Sequence, residues 1–121
     1  MNKVSLSGIS DNAIVNKSFQ FALTIIQYAD ALESERKYII ANQLLKSGTS
    51  IGANIWEAQN AESKADFIHK LKIAAKEAKE TEYWLLLCQN SDGYPAISDK
   101  LEKLLEIQKL LSRIIHSSKK T

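Results

Sequence analysis

Asp66, Lys70, Glu77 and Glu80 follow one another at intervals of four, seven and three. On a helix that spacing sets their polar heads along one stripe, beside Tyr83 and Trp84. Two glutamates held in a cleft with separated pKa values could act as acid and base on a substrate. The same stripe also fits a buried or subunit-bridging ion-pair network, or an exposed face of i,i+4 pairs worth about 0.2–0.5 kcal/mol each. Nothing in the sequence places a substrate there, so the polar network is the expectation.

Other chemistry is more thinly represented. Arg113 and His116 stand three apart, within helical contact distance, as a helical ribonuclease would require; Ile114 and Ile115 between them have the character of seam residues. Cys88 lies on an apolar stripe with no nearby histidine, which describes an inert core thiol better than a nucleophile. A di-iron bundle needs four carboxylates and two Glu-x-x-His pairs. The nearest approach is Asp66-Phe67-Ile68-His69, which occurs once. The run Ser47-Gly48-Thr49-Ser50-Ile51-Gly52-Ala53-Asn54-Ile55 has the small residues of a phosphate loop but not its Gly-Lys-Ser/Thr ending. Neither a metal nor a cofactor is expected, and no small-molecule substrate is indicated.

Charge points elsewhere. Sixteen Lys and Arg against fourteen Asp and Glu leave a formal +2, a weak overall field. The last fifteen residues nonetheless carry Lys109, Arg113, Lys119 and Lys120 and no acid. Cations at a helix C-terminus with a solvated tail account for this run. The alternative is a set of phosphate contacts to RNA.

The 121 residues, 45% of them hydrophobic, suit one domain with one core over 1–121. Four Gly and one Pro are too few for a turn-rich β-protein, which leaves long helices. A single cysteine suits a reducing compartment. The longest strongly apolar stretch, Trp84 to Cys88, is far short of a membrane span, and the first residues lack the apolar core of a secretion signal. A cytoplasmic location and no membrane partner are therefore expected.

Periodicity predicts an all-α, antiparallel up-down-up-down four-helix bundle, with helices at about 12–33, 35–59, 64–90 and 99–117. Asp11, Ser34, Ser63 and Ser98 precede them as capping residues. In the first helix Ile14, Phe21, Ile25 and Leu32 form one stripe, while Val15, Phe19, Leu23 and Ile26 lie off it. A helix apolar on two sides needs cover on both, which points to a homo-oligomer. In the second, Tyr38, Ala41, Leu45, Gly48, Gly52 and Ile55 make the inner strip. Gly48 and Gly52 each cost about 1 kcal/mol relative to Ala, so they mark a close backbone approach, with a loop at Ser47 to Ser50 as the alternative. The third presents Phe67, Leu71, Ala74, Ala78, Thr81, Leu85 and Cys88; the fourth presents Leu101, Leu104, Gln108, Leu111 and Ile115.

The string from Leu45 to Ala58, LKSGTSIGANIWEA, followed by Ser63 to Leu71, SKADFIHKL, and Ala75 to Leu85, AKEAKETEYWL, resembles the four-helix-bundle family of 23S ribosomal RNA intervening-sequence proteins. The resemblance is strongest over residues 38 to 87 and extends over about 12 to 117. It implies an up-down bundle and no enzyme activity. Relatives that include the accessory variability determinant of diversity-generating retroelements imply a ring-shaped homopentamer. That relative binds nucleic acid and a reverse transcriptase.

The combined expectation is a non-enzymatic, homo-oligomeric scaffold, with a pentamer favoured, that binds structured RNA or a ribonucleoprotein. Five copies of the C-terminal run would gather about +20 around a ring. Two rival readings are a protein-binding adaptor without nucleic acid and a helical-bundle hydrolase.

Overall fold

Asn12 opens the first helix: its extended backbone turns the side-chain oxygen onto the Ile14 N–H at 3.1 Å. Asp11, the expected cap, lies outside residues 12–120, which the computed structural model describes. Among the described residues there are four helices and no strand: α1 Ala13–Ser34, α2 Tyr38–Ala58, α3 Lys64–Gln89 and α4 Lys100–Lys120.

Ser34 does not cap α2. It is the last residue of α1, and its hydroxyl donates back to the Ala31 carbonyl. The chain then closes a Schellman-type stop, with Arg36 N–H bonded to Glu33 O at 2.9 Å and Lys37 N–H to Leu32 O at 2.8 Å. Arg36 takes the left-handed conformation, φ 62°, that the stop requires, so a helix cannot begin at residue 35. α2 starts at Tyr38 without a side-chain cap and runs unbroken through Gly48 and Gly52.

Of the expected inner strip of α2, Ala41, Gly48 and Ile55 are buried, but the strip turns to one side of the others. Leu44 and Ile51 are fully buried, Leu45 and Gly52 are half-buried, and Tyr38 is exposed. Gly48 explains the rotation. A Cβ there would stand 2.7 Å from Ile25 Cγ2, so the absent side chain is the seat of Ile25 on α1. On the other flank, Thr81 Oγ1 of α3 lies 2.9 Å from Ser47 Oγ and 2.8 Å from the Glu77 carbonyl, which keeps both buried hydroxyls satisfied.

Ser63 caps α3, accepting the Asp66 N–H at 3.0 Å, while the Asp66 carboxylate accepts the Glu62 N–H at 3.3 Å. Leu71, Ala74, Ala78, Thr81, Leu85 and Cys88 are its buried positions. Between α3 and α4, Gly93 at φ 79° turns the chain and Ile97 plugs the end of the core. The Tyr28 hydroxyl donates to the Pro95 carbonyl at 2.6 Å, and Lys100 lies over the Tyr28 ring at 4.9 Å. Ser98 is not the cap of α4. Its φ of 55° is outside the extended region that a cap occupies, and the helix opens at Lys100, with Asp99 O accepting the Lys103 N–H.

In α4 the fully buried residues are Leu104, Ile107 and Leu111. Ile107 takes the place foreseen for Gln108, which is half-buried and donates to Glu82 on α3. Ser47 with Thr81 and Glu57 with Lys70 run in opposite senses along α2 and α3, as Glu82 with Gln108 and Lys72 with Lys119 do along α3 and α4. α2 and α4 each pack against both α1 and α3, so α1 and α3 occupy one diagonal of the bundle.

Candidate functional site

The four polar residues of α3 do not join into one network. Lys70 reaches across to Glu57 on α2, Nζ to Oε1 3.0 Å, and the bond and charge of that carboxylate raise the Lys70 ammonium above the usual lysine range. Asp66 serves the helix start. Glu80 accepts from Trp84 Nε1 at 3.3 Å, while at Glu77 the backbone carbonyl receives the Thr81 hydroxyl. Spacing along one helix foresees a shared stripe, and the Asp66 charge does act on Lys70; the ion pair of Lys70, however, runs across to Glu57 on α2, while Glu80 bonds within α3.

Arg113 and His116 are both exposed, but only His116 lines the groove beside α4. Cys88 is buried, and burial pushes its thiol above the ordinary cysteine value. Among the described residues no three His, Cys, Asp or Glu side chains gather in a metal-binding group. Among them, too, no helix is long and apolar enough to cross a membrane.

What the fold does assemble is a groove of about 580 Å³ between α3 and α4. Ala75, Leu105, Ser112 and Ile115 line its base, and Lys79, Lys109, His116 and Lys119 stand around it. Glu82 borders one end, paired with Lys79 at 3.3 Å and accepting from Gln108 at 3.0 Å; these bonds hold its carboxyl below the usual glutamate range, the Gln108 bond most. At the other end Lys72 stands close enough to Lys119 to hold that ammonium below the usual lysine range. Lys109 and Lys119 thus enter the groove, while Arg113 and Lys120, exposed on the same helix, are not among its lining residues. The α3 lysines escape notice in the sequence because Glu77, Glu80 and Glu82 interleave with them.

Exposed apolar residues occur on all four helices, Tyr38, Ile39 and Trp56 on α2 and Leu105 on α4 among them, and α1 and α3 each carry a group of three. On α1, Phe19, Leu23 and Ile26 are 38–42% exposed. With Trp56 of α2 and the half-buried Gly52, Phe19 borders a shallow recess of about 240 Å³. Val15 does not belong to this outer face: it is 3% exposed and joins the core. On α3, Tyr83, Leu86 and Leu87 are exposed, with Tyr83 set edge-on against Trp84 at 5.2 Å between ring centroids.

Among the described residues the architecture is that of an all-helical protein of four packed helices. The chain belongs to the family of 23S rRNA-intervening sequence proteins, whose family model matches residues 10–117. It is similar to a solved structure from Bacteroides thetaiotaomicron VPI-5482, a protein with unknown function from the S23 ribosomal protein family. The two are 45% identical; the match covers 85% of this chain and 98% of the other, with a TM-score of 0.78. No curated protein matches the chain.

Proposed function

We propose that the protein is a non-enzymatic, cytoplasmic scaffold that assembles into a ring of about five copies and binds structured RNA through the cations of α4. The observation that carries the reading is the pair of exposed apolar faces on diagonal helices, Phe19, Leu23 and Ile26 on α1 and Tyr83, Leu86 and Leu87 on α3. A contact between two different faces repeats from copy to copy and closes into a ring when the rotation allows. Small residues at Gly52 and Ala53 leave beside Phe19 a recess that an aromatic or aliphatic side chain of the next copy would fill. Lys109, Arg113, Lys119 and Lys120 would then recur around the ring, giving a multivalent surface for phosphates.

Native mass by light scattering at physiological salt, with and without nuclease treatment of the extract, tests both parts. The expected result is about five times the 13.6 kDa subunit, carrying nucleic acid that nuclease removes. Leu23→Glu with Ile26→Glu should reduce the mass to one subunit while the helical circular dichroism persists. A wild-type monomer overturns the ring. A ring free of nucleic acid overturns the RNA reading in favour of a protein-binding adaptor.

A further inference from the structure

A run of cations at the end of a chain is a diffuse feature; two helices that aim cations at one another across a groove are not. Lys79 from α3 and Lys109 and Lys119 from α4 stand around the same open groove, and no acid is among its lining residues. We propose that this groove is a phosphate-binding site, that the phosphates are those of the RNA backbone, and that Lys72, Lys79, Lys109 and Lys119 are its cationic contacts. The RNA source rests on the function proposed above; the phosphate chemistry rests on the groove.

Lys72 of α3 lies beside the groove within reach of Lys119, and its like charge disfavours protonation of Lys119. A phosphate oxyanion between them converts that repulsion into two charge-assisted contacts. Glu82 engages Lys79 only at the far end, and the Lys79 side chain is 76% exposed, free to turn from the carboxylate to an incoming phosphate. The short side chains of Ala75 and Ser112 let a phosphodiester come close to the base of the groove. From Lys109 to Lys119 is about 15 Å along the helix, enough for more than one phosphate of a strand. Lysine ammoniums are point charges without the directional fork of arginine, so the site reads backbone charge and not base identity.

Two charge-matched double variants separate a built site from general attraction. Lys79→Gln with Lys119→Gln removes two charges from the groove; Lys46→Gln with Lys64→Gln removes two outside it. All four residues are exposed, so both variants should fold. Binding of a fluorescein-labelled mixed-sequence RNA, followed by anisotropy across a salt series, should weaken about tenfold in the groove variant and less than about threefold in the other. The salt slope should fall by about 0.7–0.9 for each phosphate that is no longer neutralised. Calorimetric titration of the wild-type protein with inorganic pyrophosphate should give binding that the groove variant lacks.

Equal RNA losses in both variants, with no pyrophosphate binding, overturn the groove and leave the RNA reading standing. Pyrophosphate binding that Lys79→Gln with Lys119→Gln abolishes, in a protein that does not bind RNA, supports the phosphate site and overturns RNA as its source. Absence of both kinds of binding overturns the site and the RNA reading together.

Discussion

α2 and α4 pack against the same two helices in different ways. α2 meets α1 and α3 through small residues: Gly48 receives Ile25, Gly52 lies under the Ser18 carbonyl, and Ser47 meets Thr81. α4 meets them through Leu104, Ile107 and Leu111, with polar pairs at the edges, Lys17 to Glu106 at 3.2 Å and Gln108 to Glu82 at 3.0 Å. Small residues bring helix axes together and close the seams, whereas large core residues flanked by long polar ones leave gutters. α4 accordingly has a groove on each side, about 580 Å³ against α3 and about 500 Å³ against α1. One half of the bundle specifies the fold, and the other leaves room for a partner.

Cavity mutations test this contrast at its largest scale. Ile51→Ala in the tight seam should cost about 3–5 kcal/mol, and Ile107→Ala about 2–3 kcal/mol, because a looser surrounding relaxes into the space. Both side chains are essentially fully buried, so the difference between them reports packing and not exposure. Urea unfolding measures both, and equal costs would remove the distinction between the helices. Gly48→Ala follows. Its Cβ would meet the β-branched Ile25 at 2.7 Å, an overpacking cost of about 1–3 kcal/mol that a helix-propensity gain of about 1 kcal/mol only partly offsets. At Gly52 the nearest atom is the Ser18 carbonyl oxygen at 3.3 Å, so Gly52→Ala should be the milder change. A stabilising Gly48→Ala would refute the account of why that glycine is there.

Tyr28→Phe addresses how the loop preceding α4 is held. Burial raises the Tyr28 hydroxyl above the ordinary tyrosine value, so it remains a donor to the Pro95 carbonyl across the accessible pH range. Its loss should cost about 1 kcal/mol, with faster amide exchange at residues 95–100. Unchanged exchange there would show that the connection is anchored without this hydrogen bond, by Ile97 and the Lys100 contact with the ring.

These contrasts were unevenly legible in the sequence. The start and inner face of α3 could be read directly, because Ser63, Asp66 and the positions from Leu71 to Cys88 follow local capping and periodicity. The stop after α1 could not, because Arg36 occupies a left-handed position where glycine is the usual signal. In α2 Gly48 does lie on the inner strip, but a position without a side chain is set by what enters it, and with Ile25 seated there Leu44 and Ile51, not Leu45 and Gly52, complete the buried face. The basic run of α4 was visible as charge. Its partner residues on α3 were not, since only the antiparallel register carries Lys72 to Lys119. That Lys70 pairs with Glu57 depends on the same kind of information, the register of α3 against α2.

The smallest effect lies at the edge of the groove. Glu82 accepts from Gln108 and pairs with Lys79, and both interactions lower its carboxyl below the ordinary glutamate value of about 4.3. A carboxylate whose folded pKa is depressed contributes stability above its unfolded value and loses that contribution as pH falls through the folded one. For a partly exposed pair the contribution is about 0.2–1 kcal/mol. Urea unfolding of the wild type and Glu82→Gln should therefore differ by that amount at neutral pH, and the gap should narrow as pH falls below the ordinary value of about 4.3. A gap that persists to pH 3 would mean that Gln108 binds the neutral side chain equally well, making the hydrogen bond, and not the charge, what ties α4 to α3 at this end of the groove.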